Sequence, residues 1–256
     1  MNGLEAAAVF AAGVAAGGIN AVVGSGTLIT FPTLVALGFP PVTANITNNI
    51  GLVSGTVASA YGYRQELKGQ RDRLLRLGAG SLVGTLIGAA LLLGLPADAF
   101  KVIVPVLIVV ALVLVVVQPR VNAWLAARRE HHHAHGGPWL WFGVLGAGIY
   151  GGYFGAAQGI ILIALLGIFL DDDLQRLNGA KNVLAFVVNG AAALVFVGVW
   201  LAGHADIDWL GVLLIALGST VGGLLGASAG RRLPPAVLRG VIVAVGVTAI
   251  VNLVRG

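Results

Sequence analysis

No cysteine occurs in the 256 residues, and only 10% of positions carry a charge. The first absence excludes disulfides, thiolate metal centres and cysteine-ligated iron–sulfur clusters, so no cofactor is implied. The second sets the chain far from the roughly 25% charged content of an average soluble domain. No Gly-Lys-Ser/Thr sequence is present. A phosphate-cradling Walker loop is therefore missing, and neither ATP hydrolysis nor any other enzymatic activity is expected.

In place of charge stand apolar residues, 58% of the chain. Stretches such as 79–95 and 183–201 hold about 20 apolar residues with little or no charge, enough to cross roughly 30 Å of hydrocarbon. The expected fold class is an all-α polytopic membrane protein, with the lipid bilayer as its solvent and cell membrane as its location. The 39 glycines fit that solvent, because small residues let membrane helices approach closely and permit breaks that other protein lines. The net charge of +5 sits in short loops between apolar segments. It reads as a topology signal, with no nucleic-acid partner expected. Residues 1–23 have no basic residue before their apolar run and carry Glu5, a poor match to a cleaved signal peptide.

The chain reads as a duplication. Gly80-Ser81-Leu82-Val83-Gly84-Thr85-Leu86-Ile87-Gly88-Ala89 matches Gly218-Ser219-Thr220-Val221-Gly222-Gly223-Leu224-Leu225-Gly226-Ala227 at one constant spacing. A slightly smaller spacing places Gly13, Gly18, Gly26, Asn45 and Asn49 on Gly146, Gly151, Gly159, Asn178 and Asn182. Each half then holds a long broken segment, 4–37 or 139–170, and three spans, near 42–62, 74–95 and 99–118, then near 175–202, 209–230 and 236–254. The breaks fall at Gly24-Ser25-Gly26-Thr27 and Gly155-Ala156-Ala157-Gln158-Gly159. Each broken segment is too long for one upright pass and is expected to fold back as a helical hairpin. The expected organisation is a first membrane repeat (1–118), a cytoplasmic linker (119–138) and a second repeat (139–256).

Cytoplasmic loops hold the excess of Lys and Arg. The loop with Arg64, Lys68, Arg71, Arg73 and Arg76 is placed inside, as are Arg120, Arg128 and Arg129, and Arg231, Arg232 and Arg239. The loop from His204 to Asp208 has neither residue and is placed outside. Both termini then lie outside, the two repeats run in opposite senses, and each hairpin crosses an even number of times. Inverted repeats with paired broken helices are a recurrent plan of secondary transporters, with the site near the midplane.

At each break a second half-helix begins, near Thr27 and near Gly159, whose unpaired N–H groups and positive dipole end suit an oxyanion. Asn45 and Asn49, like Asn178 and Asn182, lie four apart on one helix face, with Asn48 and Lys181 at matched positions beside them. Amides within apolar spans need partners, either a ligand or another helix. Lys181 is the one cation placed within a span; it either contacts an anion or snorkels to the interface. No Asp or Glu lies inside a span, since Glu5, Glu66, Asp98, Asp171 to Asp173, Asp206 and Asp208 fall at ends or loops. That inventory favours an anion over a cation. Gln158, Tyr150, Tyr153, Asn20 and Ser25 surround the breaks as neutral donors. The tract His131-His132-His133-Ala134-His135 matches no defined zinc spacing, and no metal site is expected. Asp171 to Asp173 read as caps of a helix start.

The segment Ala16-Gly17-Gly18-Ile19-Asn20-Ala21-Val22-Val23-Gly24-Ser25-Gly26, followed by Pro32, Gly38 and Ala44-Asn45-Ile46-Thr47-Asn48-Asn49, resembles the first repeat of the sulfite exporter TauE/SafE family. Gly148-Ile149-Tyr150-Gly151-Gly152-Tyr153-Phe154-Gly155-Ala156-Ala157-Gln158-Gly159 and Asn178-Gly179-Ala180-Lys181-Asn182 are similar to that family's second signature. The resemblance implies a permease for a small sulfur-containing anion, sulfite, thiosulfate or an organosulfonate, with export the usual direction. Gln158 and Ser25 stand where the signatures often carry glycine. The residues expected at the site are Gly24, Ser25, Gly26, Thr27, Asn45, Asn48, Asn49, Ala157, Gln158, Gly159, Asn178, Lys181 and Asn182. An inside-negative potential contributes about 2.3 kcal/mol per charge per 100 mV toward anion exit. The alternative is a cation or metal permease using the His tract, and a homodimer is compatible with either reading.

Overall fold

The computed structural model describes residues 1–127 and 136–229, with 240, 243 and 244. The described residues are helical, without strands: α1 (Gly3–Val22), α2 (Thr27–Ala36), α3 (Pro41–Gly62), α4 (Arg71–Gly94), α5 (Ala97–Ala127), α6 (Gly137–Tyr153), α7 (Gln158–Phe169), α8 (Leu174–Leu201) and α9 (Trp209–Ala229). Five of them, α1, α4, α5, α8 and α9, contain stretches long and apolar enough to cross a membrane. All of the expected span near 236–254 but residues 240, 243 and 244, the His131–His135 tract, and Arg231, Arg232 and Arg239 lie outside the described residues.

Helix α3 has the length of a span, 22 residues, but not the apolar composition. Its buried face carries Asn45, Thr47, Asn48, Asn49, Thr56 and Ser59, so the polarity points at protein and not at lipid. Two boundaries differ from the sequence reading. Helix α4 takes in the charged turn at Arg71, and α5 continues through Pro119 to Ala127 where the sequence suggested an end at 118. Membrane helices tolerate an internal proline when neighbours satisfy the freed carbonyl.

Both broken segments are pairs of packed helices, α1 with α2 and α6 with α7. Gly26 lies so close to the Ala16 carbonyl that a Cβ there would sit 2.6 Å from the oxygen, which places the chain doubling back on itself. Helix α1 packs along α9 and α6 along α4, while α3 lies on both α9 and α8. These seams depend on small residues: a methyl on Gly148 would meet the Ser81 carbonyl at 2.7 Å, and one on Gly226 the Gly18 carbonyl at 2.6 Å. Close backbone approach of this kind replaces the hydrophobic drive that lipid cannot supply.

At the end placed inside, Asp172 accepts from Arg73 at 2.5 Å and from Arg176 at 2.7 Å, tying the start of α4 to the start of α8. Burial alone would raise the Asp172 carboxyl, but the hydrogen bonds and charges of Arg73 and Arg176 outweigh it and hold the group below its ordinary value. The acidic run was expected to cap α8. Asp173 does occupy the N-cap position, yet its side chain makes no cap hydrogen bond, and the neighbouring Asp172 is held by the two guanidiniums.

Candidate functional site

The first break, Val23 to Gly26, turns through Gly24 at φ +86°; the second, Phe154 to Ala157, turns through Gly155 at φ +75° and Ala157 at φ +60°. Ala157 is the one non-glycine residue with positive φ among the described residues. It stands at the position matched to Gly24 by the spacing that relates Asn45 to Asn178. The two breaks touch. The N–H of Gly159 donates to the carbonyl of Gly24 at 3.0 Å, and a Cβ on either glycine would overlap the backbone of the other.

A helix end leaves carbonyls without intrahelical donors, and in an apolar interior they must find others. The last turn of α1 finds them on α8: Lys181 Nζ donates to Asn20 O at 3.0 Å and Ala21 O at 3.1 Å, and Asn182 Nδ2 donates to Ala21 O at 3.2 Å. The end of α6 finds one on α3, where Asn45 Nδ2 donates to Tyr153 O at 3.0 Å. Asn20 and Tyr153 are themselves matched positions. Each half thus supplies the donors that close the broken helix of the other.

Lys181 is fully buried, at 0% exposure, so it does not snorkel to the interface. An ammonium has three donors, and two reach α1; the third has no acceptor among the described residues. Lys181 is the one ionic side chain among the buried described residues. Its first-half counterpart, Asn48, accepts a hydrogen bond from Thr30 Oγ1 and donates to Thr27 Oγ1 at 3.4 Å, both on the first turn of α2.

The backbone amides differ from the expected open cradle. Leu28 and Ile29 donate to Ser25 O and Gly26 O, and Gln158 and Ile160 to Gly155 O and Ala157 O. These tight i→i+3 bonds occupy four of the first-turn N–H groups, and Gly159 gives its own to Gly24. Open hydrogen-bonding capacity lies instead on side chains. Ser25 Oγ, Tyr153 OH, Asn49 Oδ1 and Asn178 Oδ1 are buried without partners among the described residues. Four orphaned polar atoms are a costly arrangement unless a ligand or water meets them.

Of the remaining expected residues, Gln158 spends its amide on Ala147 O at 3.0 Å, which packs it into its own hairpin, and Tyr150 OH donates to Ala156 O at 2.6 Å. Asn49 Nδ2 reaches Asn189 Oδ1 at 3.5 Å across the α3–α8 contact. Asn189 escaped the sequence reading. It lies two turns beyond Asn182 on nearly the same face of α8, and that periodicity was the available signal.

The sulfite exporter TauE/SafE family model matches residues 9–253. A protein of Escherichia coli strain K12, named probable membrane transporter protein YfcA, is 27% identical over 238 residues, covering 88% of this chain and 82% of its own. A probable membrane transporter protein of Haemophilus influenzae is 29% identical over 225 residues, covering 86% and 83%. The probable membrane transporter protein ORF9 of a Sinorhizobium species is 25% identical over 228 residues, covering 86% and 80%. No solved structure matches the chain. With nearly its full length matched, interrupted helices included, the chain belongs to the sulfite exporter TauE/SafE family of membrane transporters.

Proposed function

We propose that the protein exports a small sulfur-containing oxyanion, sulfite, thiosulfate or an organosulfonate, through a site where its two broken hairpins meet. The observation that carries this reading is a buried Lys181, with an uncommitted N–H, beside breaks that also hold the unpartnered hydroxyls of Ser25 and Tyr153. A dry cation with no buried carboxylate beside it attracts an anion far more strongly than the same group in water. Among the described residues no three His, Asp or Glu side chains gather as a metal site.

The site is built from inverted repeats, 1–118 and 139–256, joined by a cytoplasmic linker at 119–138, with both termini outside. Reciprocal packing supports the duplication: α1 lies on α9 as α6 lies on α4, and α3 reaches α9 as α8 reaches α4. Inversion would set the matched residues on opposite sides of the midplane. Asn48 is seven residues along α3 and Lys181 seven along α8, each about 10 Å from its helix start at the helical rise. With α3 starting outside and α8 inside, the two flank the midplane from opposite sides.

The test uses protein reconstituted in liposomes loaded with sulfite, thiosulfate or an alkylsulfonate, under an imposed internal negative potential. Efflux of at least one of these anions should exceed that from protein-free vesicles and rise with the potential. Movement of divalent cations without any of the three anions would overturn the reading.

A further inference from the structure

Away from the breaks, a side-opening cleft of about 590 Å³ separates α4 from α8. Arg71, Leu75, Gly78 and Leu82 run along its α4 wall, and Val183 and Val187 form the α8 wall. Positions 71, 75, 78 and 82 follow the helical repeat, so they make one continuous stripe. Its length, eleven residues, is about 16 Å. That is roughly one leaflet of hydrocarbon, half of about 30 Å. The depression exists because Gly78 contributes no side chain; a Cβ there would have only Val187 Cγ2 within reach, at 3.9 Å.

Charge is confined to one end. Arg71 opens α4, at the level of the basic loop, and every other wall position is apolar or glycine. The neighbouring guanidiniums are committed: Arg73 and Arg176 to Asp172, Arg76 to Gly137 O, and Arg64 to Tyr61 O. Arg71 is exposed and has no hydrogen-bond or ion-pair partner among the described residues. A free planar guanidinium at the mouth of an apolar trough one leaflet deep matches a phosphodiester headgroup above an acyl chain.

We propose that this cleft holds one anionic phospholipid, its phosphate on Arg71 and an acyl chain between α4 and α8. An anionic lipid is favoured over a zwitterionic one because the headgroup of the latter brings its own cation to compete with Arg71 for the phosphate. Basic patches at the cytoplasmic end of membrane helices are general binders of such headgroups. The lipid would brace the two helices that Asp172 already joins, on the lipid-facing side of the helix that carries Lys181.

The full chain, purified in detergent and mixed with phosphatidylglycerol or phosphatidylcholine of equal chain length, is read by native mass spectrometry. The wild type should retain phosphatidylglycerol several-fold more than phosphatidylcholine. Arg71→Gln should bring phosphatidylglycerol down to the phosphatidylcholine level, and Gly78→Leu, which fills the trough, should remove both. The same lipid should raise the wild-type melting temperature and leave both variants unmoved, which separates a lost site from a lost fold. Equal retention of the two lipids by the wild type, or undiminished phosphatidylglycerol on either variant, overturns the proposal.

Discussion

At the first break the carbonyl end of α1 receives an ammonium from Lys181 and an amide from Asn182; at the second the carbonyl end of α6 receives a single amide from Asn45. The two regions share a left-handed residue at matched positions, Gly24 and Ala157, although the second also turns through Gly155. Their electrostatics differ. Each half holds a broken helix, but a charged side chain closes only the first, an asymmetry that would give the proposed site a sign that an exact repeat would lack.

The largest expected effect comes from separating the breaks altogether. Gly24→Val puts a β-branched side chain at φ +86° and drives it into the backbone of Gly159. Strain and overpacking each contribute about 1 to 3 kcal/mol, so the loss of stability should reach about 2 to 6 kcal/mol, seen as a lowered thermal midpoint in detergent. A wild-type midpoint would mean that the two breaks do not meet.

Charge is the next difference to remove. Lys181→Gln keeps a donor for the α1 carbonyls but discards the cation, and anion affinity should fall by about 1.5 to 3 kcal/mol, roughly 10- to 150-fold. Titration calorimetry with sulfite or an alkylsulfonate, beside Lys181→Arg, measures it. Undiminished affinity in the glutamine variant would assign Lys181 to helix closure alone. A large loss in both variants would make hydrogen-bond geometry as important as charge.

Much of the frame was legible from local pattern. Apolar runs and turn residues located α3 and α9 to within a residue or two, and the glycine clusters located both breaks. The partners of Lys181 were not, because a backbone carbonyl some 160 positions away leaves no mark in side-chain sequence. For the same reason the Gly159 to Gly24 hydrogen bond was hidden, and the amides of Leu28, Ile29, Gln158 and Ile160, at helix ends expected to be open, are closed by local i→i+3 bonds. Periodicity reports which face a residue occupies. It does not report which orphaned group waits opposite.

Unequal capping predicts unequal tolerance. Asn45→Ala leaves Tyr153 O with no other donor among the described residues, a loss of about 1 to 3 kcal/mol for an orphaned buried acceptor. Asn182→Ala leaves Ala21 O still held by Lys181, so only the net worth of one hydrogen bond is lost, about 0.5 to 1.5 kcal/mol. Parallel denaturation curves decide it. Equal losses would show that Lys181 does not share the load at α1.

The smallest effect concerns the left-handed residues themselves. Ala157 has φ +60°, a conformation that is unfavourable for an L residue with a Cβ by about 1 to 2 kcal/mol. Ala157→Gly relieves that strain. It also gives the unfolded chain more freedom, worth about 0.4 to 1 kcal/mol, and removes a fully buried methyl worth about 0.8 kcal/mol. The three terms nearly cancel, so the thermal midpoint should stay within the shift of about 1 kcal/mol. The reciprocal change, Gly24→Ala, introduces the same strain and adds an overlap with Gly159, and should destabilise by clearly more. If Ala157→Gly proves the worse of the two, the methyl of Ala157 packs something that Gly24 has no need to pack, and the correspondence between the breaks ends at the backbone.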